Sequence, residues 1–345
     1  MKKRLMAAVL STAMAATMLL TGSISVQAAD AAAANDPAVE LIFTSVSVSG
    51  DSHTEAMYEF ADKVEELSGG SVTCKCYDNG SLFSSENEFD ALLNGDADLA
   101  YISFPTIATQ IPSYSMFASG YLFSSYEHMT SVLNGDIGLN KIEETLNIKP
   151  LSSFYLGSRV INTREKEINS YDDMNGLLLR MPNSEAWLFL GEALGANPTP
   201  LSFSELYTAL QTGAVDAQDN PLPSIESAKF YEVTKYIAIT NHVVDSIMPC
   251  INGDTWNSMT EAQQEAVTEA MEYARDVNDT ARLDREAELI KFFEEQGLTV
   301  TYPDINEFKE KVQAKYMENE DMIKDWDMDL YNEIQAMADT TTAEE

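Results

Sequence analysis

Apolar residues recur along this chain in two rhythms, and the switches between them lay out a strand–helix order. In residues 39–48, Leu41 and Phe43 alternate with Ile42 and Thr44, the period of a strand. Met57, Phe60, Ala61, Val64 and Leu67 then share one helical face, and Gly69-Gly70 stops that helix. Val72, Cys74 and Cys76 alternate as a second strand, ended by Asp78-Asn79-Gly80. Ser85-x-x-Glu88 reads as a capping box opening a helix with Phe89, Leu92 and Leu93. Asn94-Gly95 ends it, and residues 99–102 form the next strand. Such a βαβα succession predicts a largely parallel sheet with helices on its faces.

The same grammar returns later. Leu177-Leu178-Leu179 is a buried-strand run that Pro182 breaks, and Asn183 or Ser184 is placed to cap a helix carrying Trp187, Leu188, Leu190 and Leu194. Gly195 stops it. Ser202-x-x-Glu205 is a second capping-box pattern before Leu206, Tyr207 and Leu210, Gly213 ends that helix, and residues 214–218 read as a short strand. Both halves contain a helix end, then G-x-x-D, then a strand: Gly95 to Asp98, and Gly213 to Asp216. Two similar lobes follow from that echo. Residues 260–296 form one long helical stretch opened by Thr260-x-x-Gln263 and ended by Gly297, long enough to cross both lobes.

The amino terminus changes the compartment. Lys2, Lys3 and Arg4 precede an apolar run over residues 5–20, and small residues lead to Val26-Gln27-Ala28, the pattern of a secretory signal peptide. The run is short for a membrane anchor, and no cysteine stands where a lipid would attach, since the first is Cys74. The expected mature protein is therefore exported to the periplasm or the extracytoplasmic face. Cys74, Cys76 and Cys250 form neither a disulfide framework nor a metal spacing and read as small buried residues.

The formal net charge is −35, and cleavage after Ala28 removes three positive charges and no negative one. Such a surface repels nucleic acid, anionic membrane and anionic solutes alike. An anionic ligand would then require concentrated positive charge, so the few arginines become the residues to inspect. Catalytic motifs are absent, and His53, His128 and His242 are scattered in sequence and read as surface or satisfied core residues; neither a metal nor a cofactor is expected. Arg275, Arg282 and Arg285 lie among acids in the long helix and read as helix-face ion pairs. Arg180 differs, because it sits at the carboxyl end of a buried strand, where open α/β sheets bind ligands. There a guanidinium either grips a carboxylate with two hydrogen bonds or pairs with a structural acid, and the pattern leaves both open. Arg159 reads as a second cationic contact or a hinge ion pair. Asn220, before Pro221, offers an amide to a ligand or forms a plain turn. Phe203 and Trp187 read as core aromatics, with a place in a pocket wall as the alternative.

From Arg159 to His242 the chain resembles the DctP-type solute-binding proteins of TRAP transporters, and a weaker match at Phe60-Ala61 to Gly70 and Gly95-x-x-Asp98 extends this over nearly the whole mature chain. The resemblance is carried by Gly157-x-Arg159, by Gly176-Leu177-Leu178-Leu179-Arg180-Met181-Pro182-Asn183, by Leu194-Gly195-Ala196-x-Pro198-Thr199-Pro200-Leu201, by the run from Ser204-Glu205-Leu206-Tyr207 through Asn220-Pro221-Leu222, and by Thr240-Asn241-His242. It implies a two-lobed periplasmic-binding-protein-like α/β fold of class II type, with a long helix spanning both lobes. The expected division is a signal peptide at 1–28, one lobe at 38–157 plus 246–285, a second at 158–245 plus 286–338, and a flexible tail at 339–345. The resemblance further implies that Arg180 salt-bridges a ligand carboxylate, that Arg159 and Asn220 assist, that Asn183 and Phe203 lie near the pocket, and that His242 is close to the cleft. The implied partners are a small carboxylate and the membrane subunits of a TRAP transporter, which runs on an ion gradient rather than ATP, with the binding protein a monomer. Two departures stand out. Asp216-Ala217-Gln218-Asp219-Asn220-Pro221 replaces the usual Asp-Gly-Gln-Glu-Asn-Pro, and Ser103 replaces the glutamate of the sialic-acid branch, which argues against sialic acid. The rival readings are a secreted enzyme acting on a small carboxylate and a binding protein for an ATP-driven importer.

Overall fold

Alternation of the kind read above builds ten strands in the computed structural model, which describes residues 35–135 and 140–341. The expected signal peptide and residues 342–345 of the expected tail lie outside the described residues, and the last helix runs to Thr341. The strands are β1 Val39–Thr44, β2 Val72–Tyr77, β3 Leu99–Ile102, β4 Ile148–Pro150, β5 Phe154–Thr163, β6 Leu178–Met181, β7 Asn197–Pro200, β8 Ala217–Pro221, β9 Tyr236–Asn252 and β10 Thr299–Thr301. They form one mixed sheet in the order β2-β1-β3-β9-β5-β8-β6-β7, with β4 and β10 also paired to β9.

The order contains the same unit twice. β2-β1-β3 and β7-β6-β8 are each parallel with the first strand in the middle, and each is followed by an antiparallel neighbour. β5 and β9 pair antiparallel along their length, from Phe154 opposite Ile247 to Thr163 opposite Tyr236, and join the two halves. The G-x-x-D echo has a local physical cause. Gly95 and Gly213 each end a helix in the left-handed region, at φ 77° and 79°. Asp98 then accepts the backbone N–H of Ile42 at 2.8 Å, and Asp216 accepts that of Leu178 at 3.0 Å. Each aspartate thus pins the edge of the central strand of its unit.

The helices that matter for the site are α1 Ser52–Leu67, α2 Glu88–Asn94, α3 Glu185–Ala193, α4 Phe203–Thr212, α5 Leu222–Ser227, α6 Glu261–Glu295 and α7 Ile305–Glu318. α6 begins at the expected capping box: Thr260 accepts from the Gln263 N–H, and the Gln263 side chain accepts from the Thr260 N–H. Its 35 residues extend over about 50 Å. Near its start Val267, Ala270, Met271 and Ala274 pack with Leu41, Phe43, Met57 and Phe60 of the first unit. Near its end Leu289 and Phe293 pack with Val160, Leu206, Leu210 and Ile225 of the second. α6 therefore staples both halves, as expected.

Several local expectations shift. β1 ends at Thr44, so residues 45–48 form a loop rather than the end of a strand. β8 spans Ala217–Pro221, which puts Asp219 and Asn220 inside a strand instead of after one. The Ser85-x-x-Glu88 capping box does not form. The residue preceding α2 is Asn87, without a side-chain cap, and Ser85 donates to Glu86 at 3.0 Å. Ser202 likewise donates to the Glu205 carboxylate at 2.7 Å and makes no backbone cap, although α4 starts where the pattern places it. Cys74 and Cys76 are half-buried on β2, Cys250 is buried, and all three are free thiols.

Candidate functional site

A cavity of about 220 Å³ opens between the two halves at the carboxyl ends of their parallel strands. That is small beside typical ligand pockets and suits a metabolite rather than a peptide. The loop after β1 brings Val46, Ser47 and Val48; the start of α2 brings Glu86 and Glu88; β3 and the turn after it bring Tyr101 and Ser103. From the other half come Arg159, Arg180, Asn183, Trp187, Phe203 and Asn220.

The two arginines meet different fates. Arg159, on β5, is buried and fully engaged. Its Nε donates to Asp219 Oδ2 at 2.7 Å, its Nη1 to Asp245 Oδ2 at 2.7 Å, and its Nη2 to the Asp219 carbonyl at 2.7 Å and to Oδ1 at 3.1 Å. The Trp187 ring lies under the guanidinium, 4.4 Å from its centre. Burial works against the Arg159 charge, but Asp219 and Asp245 outweigh it and hold the group above its ordinary pKa. The two acids respond unequally. Burial would raise Asp219, yet Arg159 and a hydrogen bond from His242 keep it well below the carboxylate range. Burial raises Asp245, and its single contact with Arg159 only partly offsets this. Asp219 is therefore the stronger partner of Arg159, as its forked geometry dictates.

Arg180, on β6, is 3% exposed and pairs with no acid among the described residues. The hydrogen bond it makes there runs from Nε to the Leu201 carbonyl at 2.8 Å. Burial pulls its pKa down to about 10, with Asp219 pulling it up and Arg159 pushing it down. The guanidinium remains charged at neutral pH, and its Nη1 and Nη2 make no hydrogen bond to the described residues. Of the two roles the sequence left open, pairing with a structural acid is absent here and belongs instead to Arg159.

The other expected residues sort by depth. Asn220 is buried on the cavity wall; its amide donates to Gln218 Oε1 at 2.6 Å and its oxygen accepts from Arg159 at 3.4 Å. Asn183 stands exposed at the rim before α3, whose cap is Ser184. Phe203 lines the cavity at the start of α4, edge-on to Phe230. His242 does not line the cavity. It is fully buried behind Asp219, with Nδ1 at 2.8 Å from Thr240 Oγ1 and Nε2 at 3.3 Å from Asp219 Oδ2. It braces the ion pair one layer down.

Three groups on the first half were missed by sequence reasoning. Asp51 and His53, at the start of α1, line the cavity and meet Arg282 of α6, which is 1% exposed and not a surface pair. Arg282 bonds Asp51 through Nη2, stands 2.8 Å from His53 Nδ1 and donates to the Leu156 carbonyl at 2.7 Å. A signal existed: Met271, Ala274, Asn278 and Arg282 follow one another at helical spacing, which places polar residues on the buried face of α6. Burial, and after it the Arg282 charge, lower the His53 pKa from 6.5 to about 4 against the pull of Asp51. The ring is neutral in the folded protein. Its contribution to stability is complete above its unfolded value and declines as pH falls towards 4. An NMR titration of the His53 ring is expected to show a midpoint near 4; a midpoint near 6.5 would mean the pocket wall is wetter than it looks. The third missed group is Glu88, discussed below. Among the described residues, no cluster of side chains suits a metal ion.

Residues 43–321 match the model of the family described as bacterial extracellular solute-binding protein, family 7 (DctP), and the chain belongs to that family. It is 38% identical to a TRAP periplasmic solute-binding protein of Roseobacter denitrificans solved with 3-deoxy-D-manno-oct-2-ulosonic acid, with a TM-score of 0.83 over 87% of this chain and 99% of that one. The sugar-acid-binding protein DctPAm of Advenella mimigardefordensis, solved with galactonate, aligns at 26% identity and a TM-score of 0.82 over 89% of this chain and 99% of that one. The sialic acid-binding periplasmic protein SiaP of Vibrio cholerae is 35% identical over 75% of this chain and 81% of its own length. The two-lobed α/β architecture expected from the sequence is the architecture of these relatives.

Proposed function

We propose that this protein captures a small organic acid between its lobes, seats the carboxylate on Arg180, and delivers it to the membrane subunits of a TRAP transporter. The observation that carries the reading is the unequal pairing of the two buried arginines. Arg159 is neutralised by the protein's own acids, whereas Arg180 lies on the cavity wall with its charge unspent. A buried cation without a partner is costly, and an incoming carboxylate removes that cost through charge-assisted bonds. Asn220, Asn183 and Phe203 complete the rim and wall around it, and Arg159 with His242 sets the local field from behind. Family membership and the carboxylate-bound relatives favour this reading over a secreted enzyme or a binding protein for an ATP-driven importer.

Closure has a natural axis. β5 and β9 cross between the halves, and their pairing slips on either side of Arg159, between Tyr155 and Gly157 and again between Arg159 and Ile161. Gly157 holds φ 119° there, which a residue with a side chain rarely adopts. We take the lobes as 38–157 plus 246–285 and 158–245 plus 286–338, moving about this crossing as an exported, non-catalytic monomer. The closed form is the one that the membrane subunits read.

The mature protein, titrated with a panel of organic acids and their uncharged amides by calorimetry and thermal melting, tests the proposal. At a hundredfold excess over Kd the bound acid is expected to add about 2.7 kcal/mol of stability. Equal binding of an acid and its amide would refute a carboxylate anchor.

A further inference from the structure

One acidic group on the cavity wall has no role in anchoring a carboxylate. Glu88 opens α2, 5% exposed, and its Oε1 is buried without a hydrogen-bond partner among the described residues. The Thr44 hydroxyl at the end of β1 is the protein group that acts on this carboxyl, and the pair has no further hydrogen-bond partner among the described residues. An unpaired buried acceptor is a standing cost, so its retention points to a ligand that satisfies it. Deepening the reading of Arg180 as the carboxylate anchor, we propose that Glu88 is a specificity-determining residue. Its carboxyl group hydrogen-bonds a ligand hydroxyl remote from the carboxylate, and the site thereby selects hydroxylated monocarboxylates over dicarboxylates.

The distribution of charge supports this. Of the cations on the cavity wall, Arg159 is consumed by Asp219 and Asp245, which leaves Arg180 to hold one carboxylate. The wall of the first half offers Asp51, Glu86 and Glu88 with no cation of its own; Arg282, behind it, is already bound to Asp51. A second ligand carboxylate would meet the Asp51 and Glu86 carboxylates there and find no free cation. A hydroxyl suits the same wall, because it donates and accepts and carries no charge to desolvate. Serines 47, 85 and 103 extend the polar lining around it. Burial pushes the Glu88 carboxyl well above the usual range, the Thr44 hydroxyl pulls weakly the other way, and no arginine contributes. Burial thus favours the protonated carboxyl, a donor and acceptor beside the ligand rather than a counter-ion.

The test is calorimetry on the mature protein with aldonates and uronates on one side and succinate, malate and unsubstituted hexanoate on the other. The wild type is expected to bind at least one hydroxylated acid about tenfold or more tighter than any dicarboxylate. E88Q, which keeps an uncharged donor and acceptor, should stay within about threefold of wild type for that acid. E88M should lose about tenfold or more for it while leaving hexanoate binding unchanged. Circular dichroism and melting temperature establish that both variants fold, and if E88M does not, E88A replaces it with the same expected loss on the hydroxylated acid. Preferential binding of dicarboxylates, or an E88M variant indistinguishable from wild type on the hydroxylated acid, overturns the role of Glu88 and leaves Arg180 as the anchor. Retention of binding in R180A overturns the anchor itself, and the Glu88 inference with it.

Discussion

Replacing Arg180 with alanine is expected to abolish high-affinity ligand binding while leaving the unliganded protein as stable as before, or slightly more so. Removing one partner of a buried, hydrogen-bonded charge pair costs about 2–5 kcal/mol in binding, which is roughly thirtyfold to several-thousandfold in Kd. The stability side of the prediction follows from the pairing in the unliganded protein. Arg180 gives up hydration for one hydrogen bond to the Leu201 carbonyl and has no acid beside it, so its burial is a net cost that alanine relieves. R180K retains the charge but loses the planar fork, and an intermediate loss of affinity is expected. Calorimetry with the best-binding organic acid, paired with melting curves of the ligand-free variants, reads both quantities. A marked drop in the stability of ligand-free R180A would mean that the residue is structural and that the proposed anchor is misplaced.

The second large effect is the mirror image. Asp219→Ala is expected to destabilise the fold by about 3–5 kcal/mol, because it leaves Arg159 buried with only Asp245 beside it and strips His242 of its acceptor. R159A should cost a similar amount for the converse reason. The double variant should cost much less than the sum, since neither charge then remains stranded. Urea unfolding of the four proteins measures the coupling, and additive losses would show that the pair does not act as a unit. The Asp219 pKa is depressed in the folded state, so its stabilising contribution is present above the ordinary carboxylate range and is lost as pH falls through and below it. The D219A variant should show that much less loss of stability in acid than the wild type.

Arg180 and Arg159 show how far local pattern reaches. Both stand in apolar strand segments, and either fits the free cation by its neighbours alone. The distinction lies in Asp219 and Asp245, which are 60 and 86 residues from Arg159 in sequence. They are brought to it by the antiparallel pairing of β5 with β8 and β9. Glu88 makes the same point from the other side. Its spacing from Ser85 fits a capping box, and the local rule was outweighed because α2 starts two residues later than the box requires, at Glu88 itself. The carboxyl group that would have capped a helix faces the cavity instead. Arg282 was read as one more charge on an acidic helix, although its spacing from Ala274 and Asn278 marked the buried face.

The sequence by itself determined the order of strands and helices, the duplicated unit ended by G-x-x-D, the capped helix long enough to join both halves, and the arginine placed at a strand's carboxyl end. These depend on residues within a few positions of one another, where periodicity, capping and backbone freedom act. Only the tertiary structure decided which arginine is spent and which is free, that His242 stands behind the wall and not in it, and that the opposite wall carries an unpaired carboxyl group and no spare cation. Pairing of charges is a matter of a few ångströms in space, and the partners here come from strands and helices far apart along the chain.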